Sequence, residues 1–306
     1  MVNTQVFWVS VALALLLILM SSFVPHFASA QNFLATSRNV SYIALVALGM
    51  SILIIGGGID LSVGSVMGLA GICCALWMQS GGSALLGVLV GLAAAASCGL
   101  ANGLLIARYK LSPFVVTLGM MSVARSLALV VSNNQTLFEL GPEQDAFQDI
   151  GSGSYWGIPA AMLLLLLLGL LSRFALKSTR WGRYVYALGG SEESALRAGV
   201  PVVRTKISLY VLCSLCAGLS GILMVAWLGS VSSALGTGYE LQVIAAAVIG
   251  GAALSGGEGG IAGAIVGAAL VEVIRNSLLL AGVNPYWQGS FVGLFIIAAV
   301  ALQPKR

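Results

Sequence analysis

The stretch LIIGGGIDLSVGSVMGLA, residues 53–70, decides the fold. Its flanks are apolar on both sides, yet Gly56-Gly57-Gly58 interrupts them and Asp60 follows closely. Each glycine inside a helix costs roughly 1 kcal/mol relative to alanine. An aspartate at the centre of a lipid-facing helix costs about 2.5–3.5 kcal/mol on insertion scales. A simple membrane anchor would carry neither feature. Non-helical backbone and a carboxylate are tolerated at membrane depth where protein buries them or they line a wet cavity. The stretch therefore reads as the break of a membrane helix beside a pathway or a moving joint. A tight interhelical contact, or a short surface loop with Asp60 capping the next helix, is the blander reading.

The surrounding composition sets the solvent. Of 306 residues 59% are hydrophobic and only 8% charged, against about 25% charged in a soluble domain. Mean hydropathy is +1.01. The apolar runs far exceed the roughly ten-residue alternating strands of a membrane barrel, so the fold class is an all-α membrane protein. One transmembrane domain, residues 1–306, leaves no room for a sizeable soluble one. Cys73, Cys74, Cys98, Cys213 and Cys216 all lie in apolar segments. Cys213 and Cys216 form a C-x-x-C without a second pair or a nearby histidine, which suits small buried side chains better than a zinc or redox centre. Neither a metal site nor a nucleic-acid partner is expected.

Working outward, about ten transmembrane helices are expected. The first covers residues 6–24, and Ala28-Ser29-Ala30 after it resembles a signal-peptidase site. No Lys or Arg precedes the apolar run, which favours an uncleaved span, and His26 reads as a solvated loop residue. Further spans are expected at 40–55, 61–78, 85–106, 113–131, 158–171, 207–228, 241–254, 261–280 and 287–302. The loop 133–157 carries Glu139, Glu143, Asp145 and Asp149 and no basic residue. The loop 172–206 holds Arg173, Lys177, Arg180, Arg183, Arg197, Arg204 and Lys206 against Glu192 and Glu193. Placing both termini in the cytoplasm puts Arg108, Lys110, the 172–206 cluster and Lys305-Arg306 inside and the acidic loop outside, with Arg38 as a weak exception. An internal echo accompanies this: Ile55-Gly56-Gly57 leads to Asp60 and Gly64, and Ile249-Gly250-Gly251 leads to Glu258 and Gly260. Both are glycine-rich broken helices of the kind transporters place near substrate or gate, although 39 glycines also permit chance clustering.

The basic loop has structure of its own. Ser191 suits a helix N-cap, Glu192 and Glu193 complement the positive helix start, and Gly199 followed by Pro201 ends it. A surface helix of about two turns is too short to stand alone and should lean on something. A cytoplasmic protein partner is one explanation, a solvated loop obeying charge placement the other.

Three segments carry a family likeness: GGGIDLSVGS at 56–65, ALGGSEESALRAGVPV at 187–202 and AAAVIGGAALSGGEGGIAGAIVGA at 245–268. In identity and order they resemble the permease subunits of the ribose-type branch of bacterial ABC sugar importers, a branch that includes permeases for ribose, arabinose, xylose, galactose and autoinducer-2. The resemblance covers nearly the whole chain. It implies an inner-membrane, multi-pass permease that forms a homo- or heterodimer in the lipid bilayer. It also implies a cytoplasmic ABC ATPase that binds ATP and Mg, and a periplasmic sugar-binding protein. The permease would move a monosaccharide by alternating access without being an enzyme itself. Gly57, Gly58, Asp60, Ser62 and Gly64 fall on the branch signature. Gly190, Glu192, Glu193, Ala195, Arg197 and Gly199 fall on the segment that docks into the ATPase. Glu258 departs from the pattern, where a small or basic residue is expected, and a pairing with Arg275 or another basic group would account for it.

The residues themselves weigh the alternatives. No G-x-x-x-x-G-K-[ST] is present, since Lys177-Ser178 follows Leu176, so ATP use belongs to a partner. An ion-coupled secondary transporter would use Asp60, Arg125, Glu272 and Arg275 as a relay, but has no use for a docking helix. An intramembrane enzyme lacks H-E-x-x-H, and the serine of Gly218-Leu219-Ser220-Gly221 lacks a base. For a sugar path, Asn102, Arg125 and Asn276 offer hydrogen bonds, and Phe114 and Trp287 offer stacking faces. Each has a bland counterpart: interhelical bonds for the asparagines, Glu272 as partner for Arg125, core packing for Phe114, interface anchoring for Trp287.

Overall fold

A computed structural model describes residues 2–284 together with 287, 289–290 and 293–294. Among these, α1 (Val2–Phe23), α2 (Ala30–Ile55), α3 (Val63–Gln79), α4 (Ala84–Tyr109) and α5 (Pro113–Val131) lead into an acidic segment. That segment holds α6 (Gln144–Ser152) and a two-residue-strand hairpin, β1 (Ser154–Tyr155) and β2 (Ile158–Pro159). Then follow α7 (Ala160–Ser178), α8 (Arg180–Gly190), α9 (Glu192–Arg197), α10 (Val202–Leu228), α11 (Tyr239–Ile249) and α12 (Ile261–Leu280). The protein is an all-α, multi-spanning membrane protein.

Seven of these helices, rather than ten, are long and apolar enough to cross a membrane: α1, α2, α4, α5, α7, α10 and α12. Two of the expected spans are the shorter apolar helices α3 and α11. The expected span at 287–302 and Lys305-Arg306 lie largely outside the described residues. Helix starts also shift. The second span begins at Ala30, because the Ser29 side chain accepts from the Asn32 amide at 3.2 Å and Asn32 Nδ2 donates to the Phe27 carbonyl at 2.8 Å. The signal-peptidase-like triplet is thus the turn and cap between α1 and α2.

The core is built from α2, α3, α4 and α10. Every residue of α2 from Val40 to Ile55 is buried. The helix α10 packs along α2, α3 and α4 through small residues, because association between helices in lipid depends on close van der Waals contact. A Cβ on Gly221 would collide with the Met67 carbonyl, so α3 and α10 touch backbone to backbone there. By contrast, no residue of the α1 span is fully buried; the helix rests mainly on α12, with Val9 against the core.

The internal echo is structural. At the end of α2, Gly56, Gly57 and Gly58 donate to the carbonyls of Ile52, Ile54 and Leu53 at 3.1, 2.9 and 2.9 Å. At the end of α11, Gly250, Gly251 and Ala252 donate to Ala246, Val248 and Ala247, each at 3.0 Å. Both are Schellman ends with a left-handed glycine at C′, φ 80° at Gly57 and 98° at Gly251.

Candidate coupling and translocation site

The three glycine-rich segments, far apart in sequence, meet at one place. The Gly257 amide donates to the Ile55 carbonyl, the last of α2, at 2.8 Å. Gly189, one residue from the end of α8, lies so close that a Cβ there would collide with that same Ile55 carbonyl and with the Gly257 amide. Gly256 and Gly257 face Gly189 and Gly190. The Tyr186 hydroxyl donates to the Gly259 carbonyl at 3.1 Å, and burial pushes its phenol up from the ordinary value. One helix of the basic loop therefore touches both helix breaks through bare backbone.

Beyond this junction, α9 begins as its sequence dictates. Ser191 caps it by accepting from the Ser194 amide at 3.2 Å, and Gly199 turns the chain out at φ 80°. Arg197 pairs with Glu193 at 2.6 Å on the open face, and Lys206 pairs with Glu192 at 2.6 Å, holding α9 against the start of α10. Ala195 is buried beneath.

Asp60 is fully buried. Its Oδ1 accepts from the Ser62 amide at 2.8 Å and from Ser62 Oγ at 2.5 Å. Asn102 Nδ2 on α4 donates to Ser62 Oγ at 3.1 Å, which joins the turn before α3 to α4. Asp60 Oδ2 and Asn102 Oδ1 are buried without a hydrogen-bond partner among the described residues. The Asp60 side chain thus closes the turn before α3 by bonding Ser62, the residue at the N-cap of that helix, while no side chain caps α3 directly.

Residues 32–300 match the family model described as "Branched-chain amino acid transport system / permease component". The ribose import permease protein RbsC of Bacillus subtilis is 37% identical over 294 residues, 96% of this chain and 91% of that protein. The L-arabinose transport system permease protein AraH of Escherichia coli is 36% identical over 290 residues, 95% of this chain and 88% of that protein. The chain belongs to this permease family. Among solved structures, an ABC transporter assigned to the metal-chelate type, in an inward-facing conformation, aligns with TM-score 0.50 at 16% identity. It covers 99% of this chain and 100% of that one, and speaks to fold alone.

In this permease the other candidate residues do not form one cluster. Arg125 does not meet Glu272. Its Nη1 donates to the backbone carbonyls of Ser233 and Leu235, the latter at 3.0 Å. Glu272 is instead bound by Arg275, whose Nε and Nη2 donate at 2.7 and 2.8 Å; Arg275 is thus engaged at Glu272. Asn276 Nδ2 donates to Asn32 Oδ1 at 3.1 Å, an interhelical bond between α12 and α2. Phe114 and Trp287 are exposed. The four residues of the ion relay therefore sit in three separate arrangements.

Sequence reading missed why Arg125 is there. Residues 229–238 are not a simple outer loop: Val231, Leu235 and Gly236 run along α3 beside Gly71, Gly68 and Gly64. This stretch is non-helical, and α11 after it starts at Tyr239 rather than Leu241 and ends at Ile249 rather than Leu254, 11 residues in all. Backbone of this kind survives at membrane depth because protein surrounds it and donors reach its carbonyls, and Arg125 is such a donor. The signal was the run Gly229-Ser230-Val231-Ser232-Ser233, with Gly236 and Gly238 after it.

Proposed function

We propose that this permease is the membrane-spanning subunit of an ATP-driven ABC importer that carries a monosaccharide, a ribose-like pentose or a related hexose, across the bacterial inner membrane. ATP and Mg are bound by a separate cytoplasmic ATPase. A periplasmic sugar-binding protein delivers the substrate, and two permease subunits form the pore. Likeness along the whole chain to permeases named for ribose and arabinose supports the substrate class. In our reading α3, α11 and the 287–302 segment complete ten spans, and positive charge places both termini inside.

The observation that carries the mechanism is the contact of Gly189 with Ile55 and Gly256-Gly257. The ATPase docks on α8–α9, at Glu192, Glu193, Ala195, Arg197 and Gly199. Motion of that pair then passes through backbone contact to the end of α2 and to the glycine-rich segment that follows α11. The signature residues Gly57, Gly58, Asp60, Ser62 and Gly64 form the hinge and its cap. Asn102 and Arg125 hold the wall of the pathway, Asn276 joins α12 to α2, and Phe114 and Trp287 offer faces toward a partner subunit or sugar.

Co-purification with a co-expressed sugar-importer ATPase tests the docking. The double variant Glu193→Lys, Arg197→Glu keeps an opposite-charge pair along α9 while inverting its outer face. Recovery of the ATPase with the native chain and loss with the folded double variant is the expected result. Equal recovery would place the docking surface elsewhere.

A further inference from the structure

Beside the glycine junction lies a cavity of about 440 Å³. It is bounded by the start of α1, the last turns of α7, Tyr186 of α8 and the beginning of α12. Its walls are apolar, with Phe7, Leu176 and Ile261 among them, while Arg173 and Lys177 supply two positive charges. These two are four apart on α7 and so share one face, where like charges oppose each other. Neither takes part in an ion pair among the described residues.

The surroundings say what kind of anion fits. No residue of the α1 span is fully buried by protein, and Phe7 is 60% exposed. Along α7, Leu167, Leu170 and Phe174 are exposed as well. The outer walls of the cavity are therefore helix faces that a bilayer covers, and an apolar surface continues from the basic residues along both helices. A small soluble anion would use the charges and leave that surface unused. A diacyl phospholipid uses both, and pockets of a few hundred Å³ are the usual size for a bound small molecule.

We infer that this cavity is a binding site for the phosphate headgroup of an anionic phospholipid, with Arg173 and Lys177 on the phosphate and the acyl chains lying along α1 and α7. The site abuts the Tyr186–Gly259 hydrogen bond, so its occupant shares a wall with the junction of α8 and the 255–260 segment. Basic pockets between membrane helices on the cytoplasmic side are suited to such headgroups, with about 1 kcal/mol for each basic residue near the surface. The site is independent of the substrate and of ATPase docking, so failure of either reading leaves the other standing.

The test is lipid titration of the purified permease in detergent, read by native mass spectrometry and by thermal melting. The probes are phosphatidylglycerol, phosphatidylcholine with the same acyl chains, and inorganic phosphate. Phosphatidylglycerol should bind in preference to phosphatidylcholine and raise the melting temperature. The Arg173→Gln, Lys177→Gln double variant should bind it about tenfold to thirtyfold more weakly, from the contribution of two basic residues. The charge-preserving Arg173→Lys variant should bind it as the native chain does, which separates loss of charge from loss of fold. Equal binding of the two lipids, or undiminished binding by the monodisperse double variant, would overturn the proposal. So would millimolar inorganic phosphate that reproduces the thermal shift and displaces the lipid, since the site would then serve a free anion.

Discussion

A Cβ placed on Gly189 would collide with the Ile55 carbonyl and the Gly257 amide, whereas one on Gly190 meets nothing within 4 Å. Neighbouring glycines thus differ in what they tolerate. Gly189→Ala should displace α8 from the two helix breaks, at a cost typical of overpacking, about 1–3 kcal/mol. Gly190→Ala should stay within about 0.5 kcal/mol of the native chain. Thermal melting in detergent distinguishes the two. Asp60 gives a second contrast. Its Oδ1 holds two donors of Ser62, so Asp60→Ala leaves a buried amide unsatisfied and should destabilise by about 1–3 kcal/mol. Asp60→Asn keeps an acceptor oxygen and should melt close to the native chain. If the asparagine variant were the less stable, the turn-closing role of Oδ1 would be wrong. That Asp60 would close the turn rather than cap α3 itself was not legible in the sequence, whereas the local bond of an aspartate to the residue two ahead needs no fold to interpret.

Among the elements, α9 was legible for the same reason. Ser191, the paired glutamates and Gly199 with Pro201 specify a short capped helix from neighbouring residues alone. The ends of α2 and α11 were legible as glycine echoes. The course of residues 229–238 was not, since that segment lies against α3 through backbone contact. Nor was the partner of Arg125, because a charge in a membrane prompts a search for a carboxylate, and backbone carbonyls leave no trace in sequence. Arg125→Leu should release residues 229–238 and raise their hydrogen exchange while exchange in α2 and α10 stays as before. An unchanged exchange pattern would mean that packing against Gly64, Gly68 and Gly71 suffices to hold the segment. On α9, the Glu193–Arg197 pair is so exposed, with 76% and 78% of each side chain accessible, that it adds little to stability. Arg197→Ala should therefore leave melting unaltered while reducing recovery of the ATPase.

At the scale of the whole molecule, the architecture joins a buried central helix, α2, to a peripheral pair, α8 and α9, through one glycine junction. The family and its membrane class were readable from composition and three motifs. The convergence of those motifs at a single point was not, because it is a property of tertiary packing. With the ATPase docked on α8 and α9 as proposed, the contact of α8 with both glycine-rich segments would give a direct route by which a motor on one face alters helices that cross the bilayer. Such coupling between distant parts is a free-energy difference of about 1–3 kcal/mol, or roughly 5–150-fold in a linked equilibrium.

The decisive measurement is ATP-driven sugar uptake into proteoliposomes containing the assembled importer, comparing the native permease with Gly189→Ala and Gly190→Ala, each carrying a full complement of ATPase. The account predicts that Gly189→Ala retains the ATPase but loses uptake by about tenfold or more, while Gly190→Ala, which lies on the docking segment but leaves the glycine junction clear, transports as the native chain does once its ATPase is bound. Equal uptake by all three, with the ATPase bound in each, would contradict it.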